Sequence, residues 1–332
     1  MKLMRYSGRH ETSMLARLGV LVDNDLVADV RAGYAMYLVE KARNPKGRQI
    51  ADIYFPSYIA QFLHIGEAAW LALADAHSYL TRLAEHSPDA TGPGDEELFI
   101  PLRDCRLYAP LRPSKLIAIA GNYPQDGKPE MKPAGKIPGT FVKTLSAITG
   151  PEREIVRPTA CQRLDCETEL GIVIGKKCKH VSEDEAYSVV AGYTIVNDVT
   201  ARDIGEMEQE GGHLFLGKTF DTFAPTGPWM VTRGGIPDPM NLQISTRVNG
   251  EQRQHGNTRD MHWSIPKIIA HLSQLTLMPG DIISTGSPGG GLANPAWSLK
   301  PGDVVEAVID GIGVLRNRVV DEPKDSSLNF SD

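Results

Sequence analysis

No run of apolar residues in this chain approaches the ~18 that a membrane-spanning helix needs, so no membrane partner is expected. The opening Met1-Lys2-Leu3-Met4-Arg5-Tyr6 passes straight into Ser7-Gly8-Arg9-His10 without an apolar h-region, which argues against secretion and for a cytoplasmic protein. Cysteine is sparse. The four residues Cys105, Cys161, Cys166 and Cys178 fit no Cys-x-x-Cys spacing and are too few to staple 332 residues, so zinc-ribbon and disulfide-framework classes fall away. Positive charge is in deficit as well. Lys and Arg number 35 against 41 Asp and Glu, a net charge of −6 with no excess to hold nucleic acid. The one basic stretch, Lys41 to Arg48, is broken by Asn44, Pro45 and Gly47 and reads as a solvated loop. Gly286 to Gly291 lacks the Gly-Lys-Ser/Thr ending of a phosphate loop, and no dinucleotide fingerprint is present.

What is present is an ordinary globular composition, 41% hydrophobic and 23% charged, on a chain long enough for two domains. The division expected is a small N-terminal α/β domain over residues 1–110, a strand-rich domain over 111–322, and a tail over 323–332. Arg17 to Val30 alternates like two strands around Asp23-Asn24, and Gly66 to His86 carries a helical stripe of Trp70, Leu73, Leu80 and Leu83. Ser87 to Gly94, with Pro88, Gly92, Pro93 and Gly94, is turn chemistry. Further strands are expected at Lys115–Ala120, Gly192–Asn197, Asp281–Thr285 and within Asp303–Val320. An amphipathic helix is expected over Ser264–Leu275, and a capping box at Ser182-Glu183-Asp184-Glu185 should open a short helix. Asp126 to Gly139 is polar and rich in glycine, proline and lysine, the composition of a mobile lid.

The chemistry concentrates in Leu164-Asp165-Cys166-Glu167-Thr168-Glu169-Leu170. An apolar run follows Glu169 and reads as a buried strand, on which Glu167 and Glu169, two positions apart, share a face. A second strand ends at Asp198, and two neighbouring strands would bring all three carboxylates to one point. Three ionised carboxylates repel one another unless a cation sits among them, and an oxygen-seeking octahedral ion satisfies that need. A polar strand edge without an ion is the alternative. His213, His255, His262 and His271 read as solvent-facing or internally satisfied, and Lys143 and Lys218, taken alone, as surface lysines.

Several motifs then occur in order: Gly121-Asn122-Tyr123, Phe141-x-Lys143, Glu167-x-Glu169-Leu170, Asn197-Asp198-Val199-Thr200-Ala201-Arg202-Asp203, Gly217-Lys218-Thr219-Phe220, Pro225-x-Gly227-Pro228, Val248-Asn249-Gly250-Glu251 and Pro279 to Gly286. Over residues 115 to 320 the chain resembles the fumarylacetoacetate hydrolase family. The resemblance implies an α+β, mostly β protein built on a mixed β-sandwich roll, a homodimer, and a Mg²⁺ or Mn²⁺ ion on Glu167, Glu169 and Asp198. It implies that Lys218 reaches the oxygens of a small 2-oxo acid, and that Tyr123, Lys143, Arg202 and Thr285 hold the substrate or line its cavity.

This chain departs from the pattern at two places. Hydrolytic members have a histidine and then a glutamate after the Asn-Tyr pair; here Asn122-Tyr123-Pro124-Gln125 runs into Asp126, and Glu130 comes one place late. The glutamine common in the family after Ala-Arg-Asp and one more residue is Gly205. The leading expectation is a metal-dependent hydrolase of an acylpyruvate or 2,4-dioxo acid, with Asp126 or Glu130 replacing the histidine as catalytic base. An isomerase, decarboxylase or dehydratase on the same metal site is the alternative, and a non-catalytic binding protein the third.

Overall fold

Strands form where apolar residues alternate, or run unbroken in short stretches between glycines and prolines, and pairing them buries both sheet faces. The computed structural model describes residues 1–23, 25–124, 135–290 and 295–323. Among them a twelve-stranded sheet runs in the order Phe99–Pro101, Leu26–Asp29, Arg17–Asp23, Lys2–Gly8, Ala224–Thr232, Val190–Asn197, Thr168–Ile174, Ile282–Ser284, Leu116–Ala120 and Gly139–Lys143, with two short strands off that path. Neighbours on the path are antiparallel except Ile282–Ser284 and Leu116–Ala120. A five-stranded sheet, Glu251–Asn257, Gln243–Val248, Val304–Ile309, Gly313–Asp321 and Glu154–Arg157, packs against one face. The fold is a strand-rich α+β roll.

Strand parity sorts the core into two layers. Leu170, Ile172, Ile174, Tyr193 and Ile195 point at Ile244, Ala307, Ile309 and Leu315 of the second sheet, and the helix Ile265–Leu272 closes that layer with Ile265, Ile268 and Ile269. Intervening residues such as Leu3, Val20, Val173 and Val196 join the other layer, which holds the helices Val30–Glu40, Gly47–Tyr54 and Glu67–His86. On the last of these, Ala69, Leu73, Ala76 and Leu80 recur at spacings of four and three and are buried. Gly33 lies against Leu80 so closely that an added Cβ would stand 2.5 Å from its side chain, so only glycine lets these two helices meet.

The N-terminal strands are not a sheet of their own. Lys2 and Leu3 pair with Val231 and Met230, which carries the large sheet across residues 1–108. The strands at Arg17–Asp23 and Leu26–Asp29 pair as expected; Asn24 of their turn lies outside the described residues. The box at Ser182 differs from expectation: the Ser182 hydroxyl bonds the Glu185 carboxylate, and the short 3₁₀ turn comes after it, at Ala186–Val189.

Candidate functional site

The strand Thr168–Ile174 is buried on both faces, and its parity positions the acids. Thr168 faces the second sheet, where its N–H donates to Gln254 Oε1 (3.0 Å) and its hydroxyl meets that of Thr246 (2.5 Å). Glu167 and Glu169 therefore turn the other way, together. The neighbouring strand brings Asp198 alongside, its N–H donating to Glu167 O (2.8 Å). Carboxylate oxygens of Glu167, Glu169 and Asp198 all lie within 4.8 Å of one another, and all three residues are buried. They stand in a cavity of about 410 Å³ whose wall also includes Tyr123, Phe141, Arg202, Gln209, Leu214 and Lys218.

Each acid is held by something different. Glu169 Oε2 accepts from the Ser284 hydroxyl (2.6 Å) and from Gly286 N–H (3.0 Å), which leaves its other oxygen to the cavity. Gly286 reaches that position at φ +85°, a backbone that favours glycine. Arg202, first residue of the helix Arg202–Glu210, bridges Asp165 Oδ2 (3.0 Å) and Glu167 Oε1 (2.5 Å). Lys218, on the short helix Leu216–Thr219, donates to Glu167 Oε2 and to Asp198 Oδ2 (2.5 Å). Glycine lets those two helices meet, because an added Cβ on Gly217 would lie 2.6 Å from Gly205 N. Glu208 accepts from Phe215, Leu216 and Gly217 N–H (3.1, 2.7 and 3.0 Å) and so holds the turn that presents Lys218.

Lys143 does not stand on the cavity wall. It is fully buried behind Asp198, donating to Val199 O (3.1 Å) and Phe223 O (2.5 Å), with Nζ 2.6 Å from Asp198 Oδ1. Thr285 is likewise behind the wall, fully buried, its backbone oxygen accepting from Asn122 Nδ2 (2.7 Å). Tyr123 is on the wall, with its phenol buried next to Thr285. Asp126 and Glu130 lie outside the described residues. His213, His255, His262 and His271 line no part of this cavity.

The electrostatics separate the three acids. Burial would raise Glu167, but Arg202 and Lys218 hold it well below the usual carboxylate range. Burial, with the charges of Asp198 and Glu167, pushes Glu169 up to about 8. Burial also raises Asp198 against the pull of Lys143 and Lys218. Lys218 is desolvated yet held above its ordinary value by Asp198 and Glu167, and burial with the Glu169 charge keeps the Tyr123 phenol protonated. Asp198 Oδ1 is held by the buried ammonium of Lys143 at 2.6 Å. Three carboxylates packed together and two that resist ionising are what a cation would relieve, and an all-oxygen set suits a hard divalent ion.

Gln209, Leu214, Ser284, Glu208 and Asp165 were not singled out as site residues from sequence. Gln209 was the most findable. It lies four residues after Gly205, hence on the same helix face one turn on.

Residues 115–320 match the family model described as fumarylacetoacetate (FAA) hydrolase C-terminal. The chain is 40% identical over 273 residues to human oxaloacetate tautomerase FAHD2A, covering 81% of this chain and 82% of that protein. Among solved structures, maleylpyruvate hydrolase from Sphingobium sp. SYK-6 in complex with manganese(II) ion and pyruvate is similar, with a TM-score of 0.70 at 30% identity, over 97% of this chain and 100% of the other. So is 2-hydroxyhepta-2,4-diene-1,7-dioate isomerase from Mycobacterium marinum, with a TM-score of 0.59 at 39% identity, over 68% of this chain and 82% of that one. By name these are a tautomerase, a hydrolase and an isomerase.

Proposed function

Because this chain belongs to the fumarylacetoacetate hydrolase family, we propose that it interconverts keto and enol or double-bond isomers of a small 2-oxo acid, with Mg²⁺ or Mn²⁺ on Glu167, Glu169 and Asp198. The observation that carries this reading is the meeting of those three acids with Lys218 at one wall of the cavity. A bound divalent ion would supply Lewis-acid polarisation of the substrate's carboxylate and keto oxygens. The chain's own groups supply the rest. Lys218 is a desolvated ammonium able to donate to the oxygen that gains charge as a neighbouring C–H bond breaks. Arg202 keeps Glu167 ionised and fixed in place. The Tyr123 phenol, kept protonated by burial, is a neutral group of the cavity wall. Water-free chemistry is favoured because the Asn122-Tyr123 stretch lacks the histidine of the hydrolytic members.

The test is a metal-dependent assay on oxaloacetate and a set of 2,4-dioxo acids, following keto–enol conversion by ultraviolet absorbance and pyruvate release by mass spectrometry. Faster conversion without pyruvate supports the proposal, whereas pyruvate release without faster conversion would overturn it. Hydrolysis is the second reading, favoured by the likeness over the whole of the maleylpyruvate hydrolase chain. It assigns the base to Asp126 or Glu130, and an Asp126→Asn, Glu130→Gln protein that keeps full turnover would remove that base. The same proposal takes the working form to be a cytoplasmic homodimer. Exposed Met207, Phe215 and Leu216 around the Lys218 turn support the pairing, which sedimentation velocity tests, as fractionation tests the compartment.

A further inference from the structure

A second, larger hollow lies away from the acids. Its volume is about 770 Å³, and it shares no lining residue with the acidic cavity. It sits where the N-terminal strands meet the roll: Arg9 and Arg106 come from paired N-terminal strands and their connection, Trp229 from the central strand Ala224–Thr232, and Val314 and Arg316 from Gly313–Asp321. Five arginines line it, Arg9, Arg103, Arg106, Arg153 and Arg316, together with His10, against the single carboxylate of Glu152. That concentration stands out on a chain with a net charge of −6. Arg316 is engaged by Glu152 (2.8 Å) and Arg103 lies near Asp104 (3.7 Å), but Arg9 and Arg106 have no ion pair among the described residues. Lys2 adds a further cation 4.9 Å over the Trp229 ring.

The floor is apolar. Pro151, Pro228, Trp229 and Val314 form it, Val314 45% exposed and Trp229 largely buried beneath, 8% exposed. A cationic rim over an apolar floor matches a ligand with a multiply charged head and a flat or apolar body. Guanidinium forks fit phosphate oxygens two at a time, so several of them around one hollow favour a polyphosphate over a lone carboxylate. We propose that this groove binds an organic di- or triphosphate, with its phosphates on Arg9, Arg106 and their neighbours and its body on the proline–tryptophan floor. The inference does not rest on the reaction proposed for the acidic cavity.

The test is isothermal titration of the full chain with ADP in EDTA-containing buffer, which removes competition for the catalytic ion. Parallel titrations use pyrophosphate, adenosine and an Arg9→Ala, Arg106→Ala protein. Binding of ADP that weakens with added salt, falls roughly tenfold or more in the double variant and persists in Glu169→Gln supports the groove. Pyrophosphate binding as tightly as ADP would overturn the part assigned to the floor. No heat at millimolar ADP, or ADP binding unaffected by the two replacements, would overturn the whole. If the double variant instead changes the sedimentation coefficient, the face is an interface between copies and the proposal fails.

Discussion

Glu169 is the residue on which the site turns. Its proton is retained up to about pH 8, against an ordinary value of 4.5, because burial and the charges of Asp198 and Glu167 disfavour the carboxylate. That proton has to leave before the oxygen can take a cation. Mn²⁺ affinity should therefore rise by about tenfold per pH unit up to about pH 8 and then level off, as titration calorimetry between about pH 6 and 9 would show. The linked effect on folding has the opposite sign. The folded-state pKa lies above the unfolded one, so the ion-free protein should lose stability as pH rises from about 4.5 towards 8, and added Mn²⁺ should restore it. Lys143 yields a second prediction. Replacing it with Met leaves Asp198 buried with one counter-charge fewer, which costs about 3–5 kcal/mol when a buried pair is broken. Thermal melting should register the loss and Mn²⁺ affinity should drop; a variant as stable and as tight as the parent would show that Lys143 does not hold Asp198. Lys218→Met removes a charge-assisted hydrogen bond, so kcat/KM should fall roughly tenfold or more. At this scale the acids were legible because strand parity is rigid. The burial of Lys143 was not, because lysine is almost never fully buried unless paired, and its partner Asp198 is 55 positions away in the chain.

At the scale of elements, the helix Arg202–Glu210 and the turn that carries Lys218 form one unit, locked by Gly205 against Gly217 and by Glu208 across the turn. Gly217→Ala should push the two apart, since the added carbon meets backbone and not a yielding side chain. We expect a stability loss of about 1–3 kcal/mol and a larger proportional loss of turnover, because displacing Lys218 by about 1 Å already costs on the order of a hundredfold. Far-ultraviolet circular dichroism beside kcat separates the two effects. The individual strands and the helices Glu67–His86 and Ile265–Leu272 could be read from periodicity and breakers. At Ser182 the Glu185 carboxylate takes the serine hydroxyl (2.9 Å) in place of a backbone N–H, and turns bonded from Ser182 and Glu183 lead into the 3₁₀ turn at Ala186–Val189. Gly205, where the family commonly has glutamine, is in three dimensions the floor on which Gly217 rests.

For the whole molecule, the pairing of Lys2–Gly8 with Ala224–Thr232 matters most. Strands more than 200 positions apart in sequence pair there, and nothing local in either segment announces the partner. The consequence is cooperative. Removing residues 1–110 would expose one edge of Ala224–Thr232, whose other edge pairs with the strand leading to Asp198. We predict that a chain beginning at residue 111 is aggregation-prone and binds Mn²⁺ poorly, as light scattering and calorimetry would show; a monodisperse, metal-binding fragment would contradict this.

Ala224–Thr232 is fully buried along its length and paired on both edges, at Met230 and Val231 to the N-terminal strand and along the other edge to the strand that leads to Asp198. Its amides sit between two neighbours in the middle of the sheet, so opening either edge means disturbing a buried strand. In deuterium they should be among the slowest in the chain to exchange, at rates set by global opening, while the turn bearing Lys218 relaxes far sooner. The three acids would thus sit on or next to strands buried in the middle of the large sheet, and Lys218 on a looser turn beside them.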